Sequence, residues 1–101
     1  MDGFTLLKDL LPKAANAYGM QREVRAALVR DRARQSVRDI WGGDASEITP
    51  LYFKDGILTV EVGSSAWGRE VFLNKERLIK LIEEDSSLSG VIKTVKTKLV
   101  G

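Results

Sequence analysis

The sequence predicts an α+β domain in which helices pack against a small three-stranded sheet. Apolar residues recur at helical spacing through the first 41 residues. An alternating apolar and polar run then surrounds an Asp-Gly turn at residues 55–56, as in a β-hairpin. A second helical run and a β-branched segment close the chain. Because 101 residues make one domain of ordinary size, we expect residues 1–101 to fold as a single unit.

Two helices are predicted before the sheet. The first covers about residues 5–18 and ends at Gly19, so residues 1–19 are a possible separate N-terminal helix. The second covers about residues 20–41, and its apolar residues change face near residues 30–32. This pattern fits a continuous helix that packs against different neighbours along its length, and it equally fits a helix that is broken at that point.

A β-hairpin over about residues 51–62 comes next, after Gly42 and Gly43 end the helix. Lys54-Asp55-Gly56 supplies its turn, because glycine tolerates the positive φ that a tight hairpin needs. The second strand alternates between apolar and polar residues, which predicts one buried face. We expect that face to consist of Leu58, Val60 and Val62, with Ile57, Thr59 and Glu61 on the other.

One helix and one strand complete the predicted fold. Ser64 or Ser65 can accept a backbone N–H at a helix start, so the third helix should cover about residues 66–84. Its predicted core stripe is Trp67, Val71, Asn74, Leu78, Leu81 and Ile82. The last strand covers about residues 91–100. In that strand Val95, Thr97 and Leu99 should face the core, with Lys96 and Lys98 facing away.

The residue types that carry most enzyme chemistry are missing from this sequence. It has no cysteine and no histidine, which excludes a zinc finger, a thiolate nucleophile and a Ser-His-Asp triad. No phosphate-binding glycine loop is present, and the consecutive carboxylates of residues 83–85 point in different directions on a helix end. We therefore expect a protein that is not an enzyme and that has no metal, no cofactor and no small-molecule substrate.

Targeting signals are absent as well. The N-terminal residues Met1-Asp2-Gly3-Phe4 lack a basic region, and the apolar runs are only a few residues long. No signal peptide, transmembrane span or lipidation motif fits such a sequence. We expect a cytoplasmic protein with no membrane partner.

Basic residues are concentrated toward the two ends of the chain. Residues 1–38 carry 8 basic and 4 acidic side chains, a net +4, and residues 39–85 carry 5 basic and 10 acidic side chains, a net −5. Residues 86–101 add three lysines, a net +3. If the basic ends share a face, an anionic partner such as nucleic acid is favoured. The alternative is ordinary solvated surface charge.

Two sets of cations are the candidate nucleic-acid-binding residues. The first set, which we call the arginine ridge, consists of Arg30, Arg34 and Arg38, surrounded by Arg22, Arg25 and Arg32. Spacing of i, i+4 and i+8 aligns the ridge on a continuous helix, and guanidinium groups pair with phosphates through two hydrogen bonds. Alternatively, the ridge is a solvated helix face with Asp31 and Asp39 as local partners. The second set is Lys93, Lys96 and Lys98.

Phe72 and Ile79 are the candidate partner-binding residues. They lie about 100° away from the apolar stripe of the third predicted helix. They therefore either meet the N-terminal helix or form an exposed patch for a partner, including a second copy of the chain. Trp41 and Trp67, by contrast, are interpreted as core residues.

The segment over residues 37–99 resembles one protein family. Residues 54–62, which read KDGILTVEV, are followed by Ser64-Ser65-Ala66-Trp67. This combination is similar to the central signature of the bacterial DciA family, a dGxLxVxv hairpin that leads into an SsaW helix start. Ile40-Trp41-Gly42 resembles the family's vvG helix end, and Glu70-Val71 resembles its eL pair. Residues 75–83 resemble its Lys-Ile-Leu-rich helix, and residues 92–99 resemble its closing strand.

The resemblance implies a KH-like domain and a role in DNA replication. Members of the family act as operators or loaders of the bacterial replicative helicase DnaB, and they bind DNA. The implied partners of this chain are therefore a DnaB-type helicase and DNA, in particular single-stranded DNA. The sequence departs from the family pattern at Val37, where a tryptophan is frequent, and many members continue into a flexible basic extension, whereas this sequence ends with the last predicted strand.

A second function fits the same resemblance. A KH-like protein could bind RNA or single-stranded DNA without any helicase client. The usual KH grip depends on a GxxG loop that brings backbone amides to the nucleotide phosphates, and no GxxG occurs in this chain.

Overall fold

The computed structural model describes residues 18–100. The helix predicted over residues 5–18 therefore lies outside the described residues, apart from its last residue, and so does most of the possible separate helix over 1–19. Gly19 was expected to end a helix, and this prediction is wrong, because Gly19 lies inside helix α1, Tyr18–Trp41. A single glycine inside a helix costs only about 1 kcal/mol, which a helix of this length tolerates.

Helix α1 is continuous, which decides between the two interpretations of its change of face. Val29, Ala33 and Val37 are buried along one side of the helix. The helix packs against the sheet there and against the helix over Lys75–Ile82 later in the chain. It ends at Trp41, and Gly42, the first residue of the 3-10 turn Gly42–Glu47, takes up a left-handed φ of 57°. The predicted helix end at the two glycines is confirmed.

The sheet has three strands, β1 Ile48–Lys54, β2 Ile57–Val62 and β3 Thr94–Leu99, in the order β1-β2-β3. β1 and β2 pair in antiparallel fashion, and β2 and β3 pair in parallel. The hairpin turn has positive φ at Asp55 and at Gly56, 54° and 82°. Two consecutive positive φ values are typical of the type I′ turn, whose twist suits a tight hairpin. The predicted hairpin and the predicted fold class, α+β with a small three-stranded sheet, are confirmed.

A β-bulge interrupts β1 at Leu51. Pro50 is paired with Val60, and the next paired residue, Tyr52, lies opposite Thr59. The extra residue shifts the alternation of β1 by one position. As a result, Tyr52 points to the same face as Thr59, away from the helices.

The third predicted helix is two helices in the structure, α2 Ser65–Leu73 and α3 Lys75–Ile82. Ser64 caps the start of α2, because its Oγ accepts a hydrogen bond from the N–H of Trp67 at 3.3 Å. The expectation of a single helix is wrong at Asn74. The side-chain amide of Asn74 donates to the carbonyl of Glu70 at 2.9 Å, and asparagine side chains that bond nearby backbone groups favour helix ends.

The core lies between the helices and one face of the sheet. The predicted inward residues of β2 are fully buried, whereas Trp41 and Trp67 are partly buried and pack against the core from its rim. In β3, Val95 is half-buried, but Thr97 and Leu99 are exposed although the register places them on the core face. The outer position of β3 explains this exposure, because an edge strand has a neighbour on one side only. The buried apolar residues are Val29, Ala33, Val37, Ile48, Leu58, Val60, Val62, Val71, Leu78, Ile82, Leu88 and Ile92.

Within the described residues, the helices cover one face of the sheet. α1 packs along β1, and α2 packs along β3 at the opposite edge. We call the uncovered side the open sheet face. The register gives it Thr49, Tyr52, Lys54, Ile57, Thr59, Glu61, Thr94, Lys96 and Lys98. No helix among residues 18–100 is both long and apolar enough to cross a membrane.

Candidate nucleic-acid interface

The arginine ridge lies along one flank of α1. Because α1 is continuous, each ridge residue is one turn from the next, about 6 Å along the helix axis. Arg34 and Arg38 are exposed, and Arg30 is half-buried. The predicted alignment of the three guanidinium groups on one helix side is therefore present.

An open groove runs between this flank of α1 and the edge strand β1. Arg34 and Arg38 form the basic wall of the groove, and its floor is apolar. The other lining residues are Val37, Ala45, Ser46, Ile48, Thr49 and Pro50. A groove with cations along one wall suits an extended anionic chain, whose phosphates can face the arginines while its other side contacts the floor.

The acidic neighbours of the ridge do not pair with Arg34 or Arg38. The carboxylate of Asp31 accepts a hydrogen bond from the side-chain amide of Gln35, at 3.3 Å, instead of pairing with an arginine. Within residues 18–100, neither Asp31 nor Asp39 forms a hydrogen bond or an ion pair with Arg34 or Arg38. These two guanidinium groups keep their donors available for an anion.

Arg32 was expected beside the ridge, and the structure corrects this. Its side chain points to the opposite side of α1, where Nη2 donates to the carbonyl oxygen of Leu81 at 3.4 Å. Its Nη1 donates to the side-chain oxygen of Gln35 at 3.2 Å. Arg32 thus joins α1 to the last turn of α3, where the free carbonyl groups and the helix dipole favour a cation. Arg22 and Arg25 are exposed and line a second open groove beside Lys54.

The C-terminal lysines lie on a different surface from the arginine ridge. Lys96 and Lys98 are on the open sheet face, in register with Thr59 and Glu61 of β2. Lys93 lies before β3, where its backbone N–H donates to the carbonyl of Gly56 at 2.7 Å. The ridge borders β1, whereas these lysines belong to β3 and its entry. The structure therefore has two basic surfaces at opposite edges of the sheet.

Phe72 and Ile79 have different surroundings. Phe72 is 66% exposed, next to Leu73 at 62%, and the ammonium group of Lys75 lies 5.2 Å from the centre of its ring. Ile79 is half-buried on α3 and packs against the core. Phe72 and Leu73 therefore make an exposed apolar patch at the end of α2, and Ile79 contributes only its outer side to the surface.

Sequence reasoning missed two residues of the open sheet face, Tyr52 and Lys54. Both are exposed, and they lie in strand β1 after the bulge. Their alternation was visible in the sequence, but the face to which they point depends on one unpaired residue, Leu51. No local sequence pattern predicts a bulge of this kind, because the proline before it is equally compatible with a regular edge strand.

The fold and the exposed cations together define a small α+β domain with basic surfaces. A family model described as Dna[CI] antecedent, DciA matches residues 6–96. Because this match covers most of the chain, the chain belongs to the DciA family, as its hairpin and helix start suggested. No curated protein matches the chain. Family membership indicates a role in replication connected with helicase loading, and the family is not known as an enzyme family.

Proposed function

We propose that this chain is a non-enzymatic replication factor of the cytoplasm that binds the DnaB-type replicative helicase and single-stranded DNA, and thereby promotes loading of the helicase. The whole chain acts as one KH-like domain in this proposal. Its DNA-binding residues are Arg30, Arg34, Arg38, Lys93, Lys96 and Lys98, and its partner-binding residues are Phe72 and Ile79. The observation that carries the proposal concerns Arg34 and Arg38 of the arginine ridge, which line a groove and have no acidic partner among the described residues.

The junction between α2 and α3 also supports binding through side chains. A KH domain clamps nucleotide backbones with a GxxG loop. Here only Asn74 separates the two helices, and the chain has no GxxG sequence. Phosphates must therefore be held by lysine and arginine side chains, for which the ridge offers guanidinium groups at one-turn spacing.

The exposed patch at the end of α2 supports a protein partner. Phe72 and Leu73 are each more than half exposed, which is unusual for large apolar residues beside a well-formed core. Lys75 adds a cation beside the Phe72 ring. An apolar patch with a basic rim suits a partner surface that is apolar and acidic, and we assign this patch to the helicase.

The DNA contact of the ridge is tested by salt dependence. Arg30→Gln, Arg34→Gln and Arg38→Gln are combined in one variant, because glutamine has a similar helix propensity to arginine. The matched control combines Arg69→Gln, Arg77→Gln and Lys80→Gln, which removes the same charge from exposed positions of α2 and α3. Affinity for single-stranded DNA is measured against salt concentration, with circular dichroism to confirm folding.

The ridge variant should bind more weakly and should lose up to about 2 units of the slope of log affinity against log salt, since each phosphate contact on a single strand contributes about 0.7. The control should keep the wild-type slope. Equal slopes and affinities for the ridge variant and the wild type would show that the ridge is only solvated surface.

The helicase contact is tested by a pull-down with the replicative helicase at moderate salt. We expect stoichiometric capture by the wild-type chain. A lack of capture, together with binding of nucleic acid, would instead favour the second function, a KH-like nucleic-acid-binding protein without a helicase client. The element order αββααβ and the mixed sheet are compatible with that second function. Parallel titrations with DNA and RNA oligomers separate the two, because affinity for RNA alone would contradict a loading factor.

A further inference from the structure

The open sheet face carries its residues in three rows that cross the strands. Each row contains one residue from β1, one from β2 and one from β3, set by the register of the two strand pairs. The rows are Lys54–Ile57–Thr94, Tyr52–Thr59–Lys96 and Thr49–Glu61–Lys98. Strands are about 4.8 Å apart, so β1 and β3 side chains in one row are about 10 Å apart.

Tyr52 presents an aromatic ring in the middle row. Its side chain is 52% exposed, and Ile57, diagonally opposite on β2, is 37% exposed. Thr59, between Tyr52 and Lys96, is only 6% exposed, as expected for a short side chain flanked by two long ones. Tyr52 and Lys96 border an open hollow together with Lys54, Ile57 and Lys98. The bulge at Leu51 produces this arrangement, because an unbroken alternation would turn Tyr52 toward the core.

The charge of this face is positive. Lys54, Lys96 and Lys98 are exposed on it, against one half-buried carboxylate, Glu61. Asp55 lies at the end of the hollow, in the turn. In the part of the chain that the structure describes, no hydrogen bond or ion pair engages the three ammonium groups. Cations that surround an exposed ring are the combination that binds a single nucleic-acid strand, since the ring stacks on a base and the cations contact phosphates.

We infer that the open sheet face is a stacking platform for single-stranded DNA, in which Tyr52 stacks on an unpaired base while Lys96 and Lys98 hold the adjoining phosphates. This inference rests on the proposed function, which already assigns Lys96 and Lys98 to DNA, and adds to it a base-stacking residue, Tyr52, on the sheet face that the helices leave uncovered. The occupant is a nucleic-acid strand rather than a protein because the three lysines outnumber the carboxylates of Glu61 and Asp55 and because the apolar area is small, with one aromatic ring and one isoleucine at its centre.

The platform is tested with single exposed residues of the sheet as variant and control. Tyr52→Ala removes the stacking ring, Tyr52→Phe keeps it, and Leu99→Ala removes a side chain of similar exposure, 54% against 52%, from the opposite face of the sheet. Binding to an oligothymidylate is measured by fluorescence anisotropy, with thermal melting to confirm folding. We expect about tenfold weaker binding for Tyr52→Ala, which is within the range for loss of one base–aromatic stack. Tyr52→Phe and Leu99→Ala should bind as the wild type does.

An abasic oligomer of the same length separates stacking from a structural effect. It lacks bases but keeps the phosphates, so the wild type and Tyr52→Ala should bind it equally. The slope of log affinity against log salt tests the phosphate contacts instead of the stacking. Tyr52→Ala should leave the slope unchanged, whereas Lys96→Gln combined with Lys98→Gln should reduce it by about 1.4, two contacts at about 0.7 each.

The outcomes distinguish this inference from the proposed function. If the wild type binds no DNA, the DNA-binding part of the proposed function is wrong and the platform is wrong with it. If the wild type binds DNA and Tyr52→Ala binds equally well, the platform alone is wrong. If Tyr52→Ala binds the abasic oligomer more weakly than the wild type does, the stacking role of Tyr52 is also wrong. Normal DNA binding with reduced helicase capture by Tyr52→Ala would identify the open sheet face as a protein-docking surface instead.

Discussion

Gly56 shows how one residue can fix the geometry of the sheet. Its φ of 82° is strained for any residue with a Cβ. A Cβ at this position would lie 2.8 Å from the Cγ and Cδ atoms of Lys93. The carbonyl of Gly56 also accepts hydrogen bonds from the N–H groups of Lys93 and Thr94, so the turn positions the start of β3. The Asp-Gly signature predicted the turn, but only the fold brings Lys93 against it.

Gly56→Ala should destabilise the protein by about 1–2 kcal/mol, the cost of a left-handed conformation for a residue with a Cβ, and Lys93 must also move aside. Gly43→Ala is the matched control, because Gly43 has no positive φ and a Cβ there would meet no atom within 4 Å. Chemical denaturation measures both. Similar free energies of unfolding for the two variants would contradict the account of the turn.

Trp67 lies in the environment predicted for it, but it is less buried than a core residue. Its predicted place in the core is confirmed by its packing against the buried cluster, although part of the ring remains at the surface. Trp67→Ala should therefore cost roughly 2–4 kcal/mol, somewhat less than a fully buried tryptophan. Phe72→Ala, at a largely exposed ring, should stay within about 0.5 kcal/mol of the wild type. Thermal melting that shows no change for Trp67→Ala would place the ring outside the core.

At the scale of elements, the features that periodicity missed are single residues. Val71, Leu78 and Ile82 keep helical spacing across the break at Asn74, so the apolar pattern of a single long helix and of two successive helices is the same. In the same way, the one unpaired residue of β1 reverses the faces of the residues after it without changing their alternation. Local patterns record the period of an element, and they do not record a one-residue interruption that tertiary packing selects.

The start of α2 depends on Ser64, and this gives a prediction for an element end. Ser64→Ala removes the acceptor for the N–H of Trp67 and should cost about 1 kcal/mol. Ser65→Ala is the neighbouring control, because Ser65 is exposed within the first turn and caps no group. Denaturant midpoints compare the two variants. A greater loss of stability for Ser65→Ala than for Ser64→Ala would show that Ser65, and not Ser64, caps the helix.

At the scale of the whole molecule, the candidate surfaces lie apart. The arginine ridge borders β1, whereas Phe72 and Leu73 lie on the helix that packs along β3. The sequence identified the ridge through its i, i+4 spacing. It did not show that Arg34 and Arg38 line a groove or that the lysines occupy another face, because both depend on contacts between distant segments.

This separation predicts that the two proposed activities can be removed independently. Phe72→Ser combined with Leu73→Ser should reduce capture of the helicase by about tenfold or more, as expected when exposed aromatic and aliphatic anchors of an interface are lost. DNA affinity and melting temperature should stay unchanged, because both side chains are largely exposed and lie on a different helix from the ridge. The ridge variant should show the reverse pattern. Loss of both activities in either variant would mean that DNA and helicase share one surface.

Pro50 and the bulge beside it also limit the pairing of β1 with a strand from another molecule. Within residues 18–100, β1 is an edge strand, paired with β2 on one side only. A strand from another molecule could extend the sheet there only along an unbroken row of N–H and C=O groups. Proline has no N–H to donate, and the unpaired Leu51 disturbs the spacing of the groups that follow it. The irregularity that turns Tyr52 outward therefore also protects β1 against edge-to-edge aggregation at the concentrations at which exposed β-strands otherwise associate.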